Sequence, residues 1–202
     1  MAQGINLAEV YLARHGQTTW NVQGRRQGHL DSPLTADGVL QAVHHADVVA
    51  ALPVDRVFSS PLGRALSTAE ILAARLALPV EIIDDLQEIH HGHIAGLTDE
   101  EIRRDFPEVA LGRARNKYSY RFPGGESYAD AEERARRALF QIDAAGARRP
   151  LIVSHEMIGR MLLRNLLDLD HQTALSCSHP HDVIYRIDVA EQRAVQLRDG
   201  KG

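Results

Sequence analysis

The chain has 202 residues, 44% of them hydrophobic and 25% charged, with a formal net charge of −4; this fits one domain with a sizeable core and excludes disordered, fibrous and membrane-spanning classes. Its single cysteine, Cys177, excludes an internal disulfide, and no secretory signal is visible at the start, so a cytoplasmic location is expected. The acidic balance excludes a general nucleic-acid footprint, and with no apolar run of bilayer length no membrane partner is expected.

In chain order, Ala8–Ala13 reads as a buried strand. Leu34-Thr35 opens a helix with Val39, Val43, Ala46 and Ala50 on its inner face, and His44 and His45 on that helix are expected in solvent. Asp55–Ser59 is a second strand, followed by a helix with Ala65, Ala69, Leu72 and Leu76 inward. Val80–Ile83 is a third buried strand. The stretch from Phe106 to Gly125 is the least regular and the most basic, carrying Arg113, Arg115, Lys117 and Arg121; it reads as a small insertion at about 106–125 over the sheet and its active site, its basic run either a wet surface loop or a contact to a second anionic group of the ligand. From about Ser127 a helix turns Ala135, Ala138, Leu139 and Ile142 inward, while Glu132 and Glu133 precede Arg136 and Arg137 by four residues each, a spacing suited to exposed ion pairs. Leu151–Val153 is a fourth strand, Met157–Leu167 a buried helix, and Val183–Val189 with Arg193–Leu197 a closing pair. Strands alternating with helices predict a three-layer α/β/α sandwich, with a mostly parallel sheet and an antiparallel edge strand, in one domain.

Chemistry-bearing residues collect where ligands bind in such sheets, beyond the carboxyl ends of strands. The first strand ends in Arg14-His15-Gly16. The second is followed by Ser60-Pro61-Leu62-Gly63-Arg64, where Ser60 is a good N-cap and Pro61 a good first helical residue. Arg64 is then expected in a first turn, at the positive pole of a helix suited to an anion. The fourth strand ends in Ser154-His155-Glu156, and Glu88 lies between in Leu86–Thr98. His90, His91 and His93 lack the spacing of a metal site and are expected mostly on the surface or behind the site. No metal and no other cofactor is expected.

With these motifs, and with Gln17-Thr18-Thr19-Trp20-Asn21, Gln27-Gly28, Leu34-Thr35, Gly124-Gly125-Glu126-Ser127 and Val153-Ser154-His155 in the same order, the chain resembles the histidine phosphatase superfamily, or phosphoglycerate-mutase-like family. The resemblance implies that His15 is a phosphorylated nucleophile, that Arg14, Arg64 and His155 clamp phosphate, that Glu88 is the general acid, and that Asn21 and Gln27 line the substrate pocket. It implies hydrolysis of a small phosphorylated metabolite through phosphohistidine, and leaves a homodimer open. Two departures stand out. Ala95 replaces an acidic residue of many relatives, and Arg113–Tyr118 does not align with the paired arginines of the mutases, which favours a phosphatase. A mutase and a non-catalytic phosphate-binding module are the alternatives. A phosphate dianion calls for arginine forks, and a nucleophilic imidazole must be neutral, which nearby arginines promote.

Overall fold

The computed structural model describes residues 4–198. In chain order it contains β1 (Glu9–Arg14), α1 (Thr19–Val22), α2 (Ala36–Val49), β2 (Arg56–Ser59), α3 (Gly63–Leu76) and β3 (Val80–Ile82). There follow α4 (Asp99–Asp105), α5 (Pro107–Arg115), α6 (Tyr128–Ala144), β4 (Pro150–Ser154), α7 (Glu156–Leu167), α8 (His171–Ser176), β5 (Ile184–Asp188) and β6 (Arg193–Leu197). The sheet order is β3-β2-β4-β1-β5-β6. β1, β2, β3 and β4 are mutually parallel, and β5 and β6 close one side as an antiparallel hairpin.

Alternation along the strands divides the core between two faces. Val10, Leu12, Phe58 and Ile152 pack with α6 and α7, whereas Tyr11, Ala13, Val57, Leu151 and Val153 pack with α2 and α3. This is the expected sandwich. The inner face of α6 is as expected, with Ala135, Ala138, Leu139 and Ile142 all buried. Among the described residues no helix is long and apolar enough to cross a membrane.

Several local expectations fail for identifiable reasons. On α2, Val39 and Val43 are each 42% exposed, and Ala50 is exposed too; Gly38, Ala42, His45, Ala46 and Val49 are buried instead. The inner face is therefore turned by one residue, about 100°. Its pivot is backbone on backbone: a Cβ on Gly38 would overlap the Gln17 carbonyl, and one on Gly16 would overlap the Gly38 carbonyl. That turn buries His45, contrary to expectation, and its Nε2 donates to the His181 carbonyl at 2.9 Å. β3 is an edge strand and not buried, since nothing pairs beyond it. On α6, Arg136 reaches Glu133 one position closer than expected, while Arg137 pairs with Asp85 and Glu132 turns to Tyr118 and Arg164. The supposedly irregular 106–125 begins as a helix, because Pro107 occupies its first turn and supplies the φ that a helix needs.

Candidate active site

Register brings the motifs together. Arg14 pairs with Ser154, and Ser59 with Val153, so β1, β4 and β2 end at one level. Hydrogen bonds from His15 N–H to the Ser154 carbonyl (3.0 Å) and from Ser60 N–H to the Val153 carbonyl (3.1 Å) carry that alignment one residue further. β1 and β2 are followed by α2 and α3 on one face of the sheet, whereas β4, which lies between them, is followed by α7 on the other, so the chain leaves β4 in the direction opposite to its two neighbours. The residues after these strands therefore face a common crevice.

A cavity of about 310 Å³ opens there, walled by Arg14, His15, Asn21, Gln27, Arg64 and Glu88 among others. His15 is buried, 3% exposed. Its Nδ1 lies 2.8 Å from the Gly16 carbonyl, which only a protonated Nδ1 can satisfy; Nε2 is thus left with its lone pair. Arg64 Nε donates to that Nε2 at 3.3 Å. Burial first, then Arg14 and Arg64, hold the His15 pKa well below its ordinary value, so the ring is neutral.

The two arginines are fixed differently. Arg14 Nη1 donates to the His179 carbonyl at 3.0 Å and pairs with Glu156 at 3.2 Å. Arg64 donates to the carbonyls of Leu30 and Gly28, both at 2.8 Å, and to Asp31 at 2.9 Å. The start of α3 differs from expectation. Leu62, not Ser60, is the N-cap, and the helix begins at Gly63. Its free amide at Arg64 is taken by the Asp31 carboxylate at 3.3 Å, so this helix pole is satisfied internally and Arg64 contributes through its guanidinium.

His155 is fully buried, its ring 5.2 Å from that of His15, with Nε2 on Ser60 Oγ at 2.8 Å. Burial, then Arg64 and His15, push its pKa well down. Its ring is therefore neutral and not a third cation. Glu88 accepts from three amides. Oε1 takes the Ile89 and Ile158 N–H groups at 2.9 and 3.0 Å, and Oε2 takes that of Met157 at 3.0 Å. One lone pair of Oε2 remains for a proton, with none of these bonds broken. Asn21 and Gln27 both engage Thr18: Asn21 Oδ1 accepts from its hydroxyl at 2.9 Å, and Gln27 Nε2 donates to it at 2.9 Å.

Residues outside the assigned catalytic set also reach the site. The segment His179-Pro180-His181, placed before β5, braces β1 from below. His181 Nδ1 donates to the His15 carbonyl at 2.6 Å, its ring 5.3 Å from that of His15. Glu156 joins Arg14 to Arg160, which donates to the Tyr128 hydroxyl at 2.8 Å. Of the basic run, Arg113 and Lys117 reach the cavity wall, joined by Arg25, Arg26 and Arg160; Arg115 and Arg121 are exposed. Seven cations thus surround the cavity against the carboxylates of Glu88 and Glu156, although the whole chain is acidic. Buried nitrogens without a partner, Arg14 Nε, His91 Nδ1 and Arg113 Nη1, belong to walls of this cavity. The unmet arginine donors suit an anion or a carbonyl-bearing ligand, whereas His91 Nδ1, with Nε2 turned to Met157 Sδ, offers an acceptor.

His91 is buried and lines the cavity, with Nε2 3.2 Å from Met157 Sδ. His93 is exposed; the His90 backbone N–H donates to the Glu126 carboxylate, and the His90 ring accepts at Nδ1 from the Gly92 N–H. Among the described residues no group of three or more His, Cys, Asp or Glu could hold a metal ion.

The buried histidines carry a pH signature. Burial pushes His91 and His179 from 6.5 down to about 3. Both stay neutral in the fold but take up protons in the unfolded chain below 6.5, so the fold loses stability as pH falls from 6.5 toward 3. Each should contribute about 1.4 kcal/mol per pH unit in that window. Urea unfolding at pH 7, 6 and 5 should show this decline, and His179→Gln should give a shallower slope than the parent.

The family description "histidine phosphatase superfamily (branch 1)" matches residues 10–199. A protein named probable phosphoglycerate mutase, from Shigella boydii serotype 18, is 35% identical over 193 residues, covering 92% of this chain and 86% of the relative. Mycobacterial glucosyl-3-phosphoglycerate phosphatase, solved with VO3, superposes with a TM-score of 0.81 at 31% identity, covering 89% of this chain and 92% of that one. The α-ribazole phosphatase of Shigella flexneri superposes at 0.83 with 26% identity, over 96% of each chain. With a match across nearly its whole length, and its strand-end motifs gathered around one cationic cavity, the chain belongs to the histidine phosphatase superfamily, branch 1.

Proposed function

We propose that this chain is a phosphatase that hydrolyses a phosphomonoester of a small metabolite through a phosphohistidine on His15. The observation that carries the reading is the tautomer of His15: Nδ1–H is held by the Gly16 carbonyl, which leaves the Nε2 lone pair beside Arg64. In the first step Nε2 attacks phosphorus and the P–O bond to the alcohol breaks; Glu88 gives its proton to the departing oxygen. In the second step water attacks phosphorus, Glu88 takes its proton, and the N–P bond breaks to restore the lone pair. Arg14 and Arg64 neutralise the phosphoryl oxygens throughout, with His155 as a neutral donor, and Asn21 and Gln27 border the substrate. The phosphatase names of the mycobacterial and Shigella flexneri structures support this reading.

The test is a brief incubation with a ³²P-labelled phosphoester, followed by acid and base treatment. The reading requires inorganic phosphate as product and an acid-labile, base-stable label on His15; label on serine, aspartate or Cys177 overturns it. A mutase is the second reading. It is favoured by the name of the Shigella boydii relative and by Arg25, Arg26, Arg113 and Lys117 on the wall, which suit a second acid group. Isomerisation of a phosphorylated acid, faster than phosphate release and dependent on a phosphorylated primer, would decide for it.

Because arginines provide the positive charge, activity should survive a chelator unchanged. Vanadate, which the mycobacterial relative binds, should inhibit at low micromolar concentration as a five-coordinate mimic of the transition state. Loss of activity in chelator with recovery on adding a divalent ion would contradict this.

A further inference from the structure

A second cavity, of about 210 Å³, adjoins the first and shares Arg26, Arg113 and Met157 with it. Arg26, Asp99, Arg103 and Arg113 line part of it, and the rest of its wall is apolar. Ile94, Ile102, Val109, Phe122 and Met157 wall it, every one of them buried. These come from the Gly92–Ile94 turn, α4, α5, the loop before α6, and α7. For scale, an apolar cavity of about 150 Å³ holds a benzene ring.

Arg113 stands between the two chambers. Its guanidinium carbon lies 5.1 Å from the centre of the Phe122 ring, and its buried Nη1 has no partner. His91 sets its ring edge-on to Phe122 at 5.0 Å and its Nε2 against Met157 Sδ, with Nδ1 unpartnered and burial holding it neutral. The shared wall therefore offers unmet hydrogen-bonding nitrogens at the neck and hydrocarbon beyond it. A phosphorylated sugar acid would use the cations but leave the hydrocarbon chamber wet, which is costly for so much buried apolar surface.

Resting on the phosphatase reading, we propose that the substrate is a phosphomonoester of an amphipathic alcohol. Its phosphate occupies the His15 chamber, an oxygen near the middle meets Arg113, and a ring-sized apolar group fills the chamber lined by Ile102, Val109 and Phe122. This substrate class differs from the phosphoglycerate in the name of the Shigella boydii relative.

The experiment pairs binding with turnover. ω-Phenylalkylphosphonates with one to four methylenes are compared by calorimetry with the alkylphosphonates that lack the ring, and the matching phosphate esters are assayed for phosphate release. At least one phenyl member should bind tenfold or more tightly than its alkyl partner, with a similar gain in kcat/KM. Ala110, at the exposed rim of the apolar chamber, provides the variant: Ala110→Phe should bring the phenyl-to-alkyl ratio close to one. No phenyl preference in any member, or a preference that Ala110→Phe leaves intact, overturns the proposal. Phenyl-selective phosphonate binding without hydrolysis of any ester would instead overturn the hydrolytic reading and leave the apolar subsite standing.

Discussion

His15→Ala should lose essentially all turnover, by a factor on the order of 10⁵ or more, the scale seen when a covalent nucleophile is removed. No neighbouring group can replace it. Nε2 of His15 is the lone pair beside Arg64 on the cavity wall, whereas His155 has its own Nε2 against Ser60 and His181 lies off that wall. Circular dichroism and the unfolding midpoint should show a folded protein, since the backbone bonds from His15 N–H to Ser154 and from His181 to the His15 carbonyl do not involve its ring. The variant should still bind vanadate or phosphate, as Arg14 and Arg64 are intact. Residual turnover within tenfold of the parent, in a folded variant, would show that another group takes the phosphoryl.

Glu88→Gln has the second large effect, and it divides by leaving group. An alkoxide needs a proton as the P–O bond breaks, so alkyl phosphates should slow by about 10²–10⁴-fold. p-Nitrophenolate is stable without one, so phosphorylation of His15 by p-nitrophenyl phosphate should suffer far less. Attack by water still lacks its base, and phosphoenzyme should then accumulate as a burst of nitrophenol. The substitution also has a structural cost. Three amides converge on two carboxylate oxygens, and glutamine offers one oxygen, so at least one N–H at the start of α7 loses its acceptor. About 1–3 kcal/mol of stability should go with it, visible as a lower urea midpoint. Equal slowing of both substrates with no burst would assign Glu88 to holding α7 alone.

The parts of the site that the sequence made legible are those set by strand ends. Arg14-His15 and Ser154-His155 each follow a short apolar run, and parallel pairing of β1 with β4 carries both to one level. Arg64 was legible as a residue after β2, but its environment was not: Asp31, which fills the α3 pole, lies 33 positions away and has no local pattern to announce it. His181 is further still, 166 positions from His15, and reaches it through the antiparallel return of β5. Periodicity misread α2 because hydropathy scores side chains, whereas Gly38 is fixed by backbone contact with Gln17. It misread α6 partners because Asp85 and Arg164 compete from other elements for the charges that spacing alone would pair. The insertion carrying Arg113 and Lys117 was legible as lying over the site, but which of its basic residues reach the cavity was not, since that depends on how α4 and α5 set their backbone there.

The imbalance of charge around the cavity has a consequence for the pace of the reaction. Seven cations facing two carboxylates attract a dianion whether it arrives as an ester or remains after hydrolysis as free orthophosphate. Departure of that product must work against the same field that favoured entry, and a steady background of phosphate competes for the same arginines. On the phosphatase reading, throughput is therefore expected to fall as free phosphate accumulates, and phosphate added to the assay should compete with the ester.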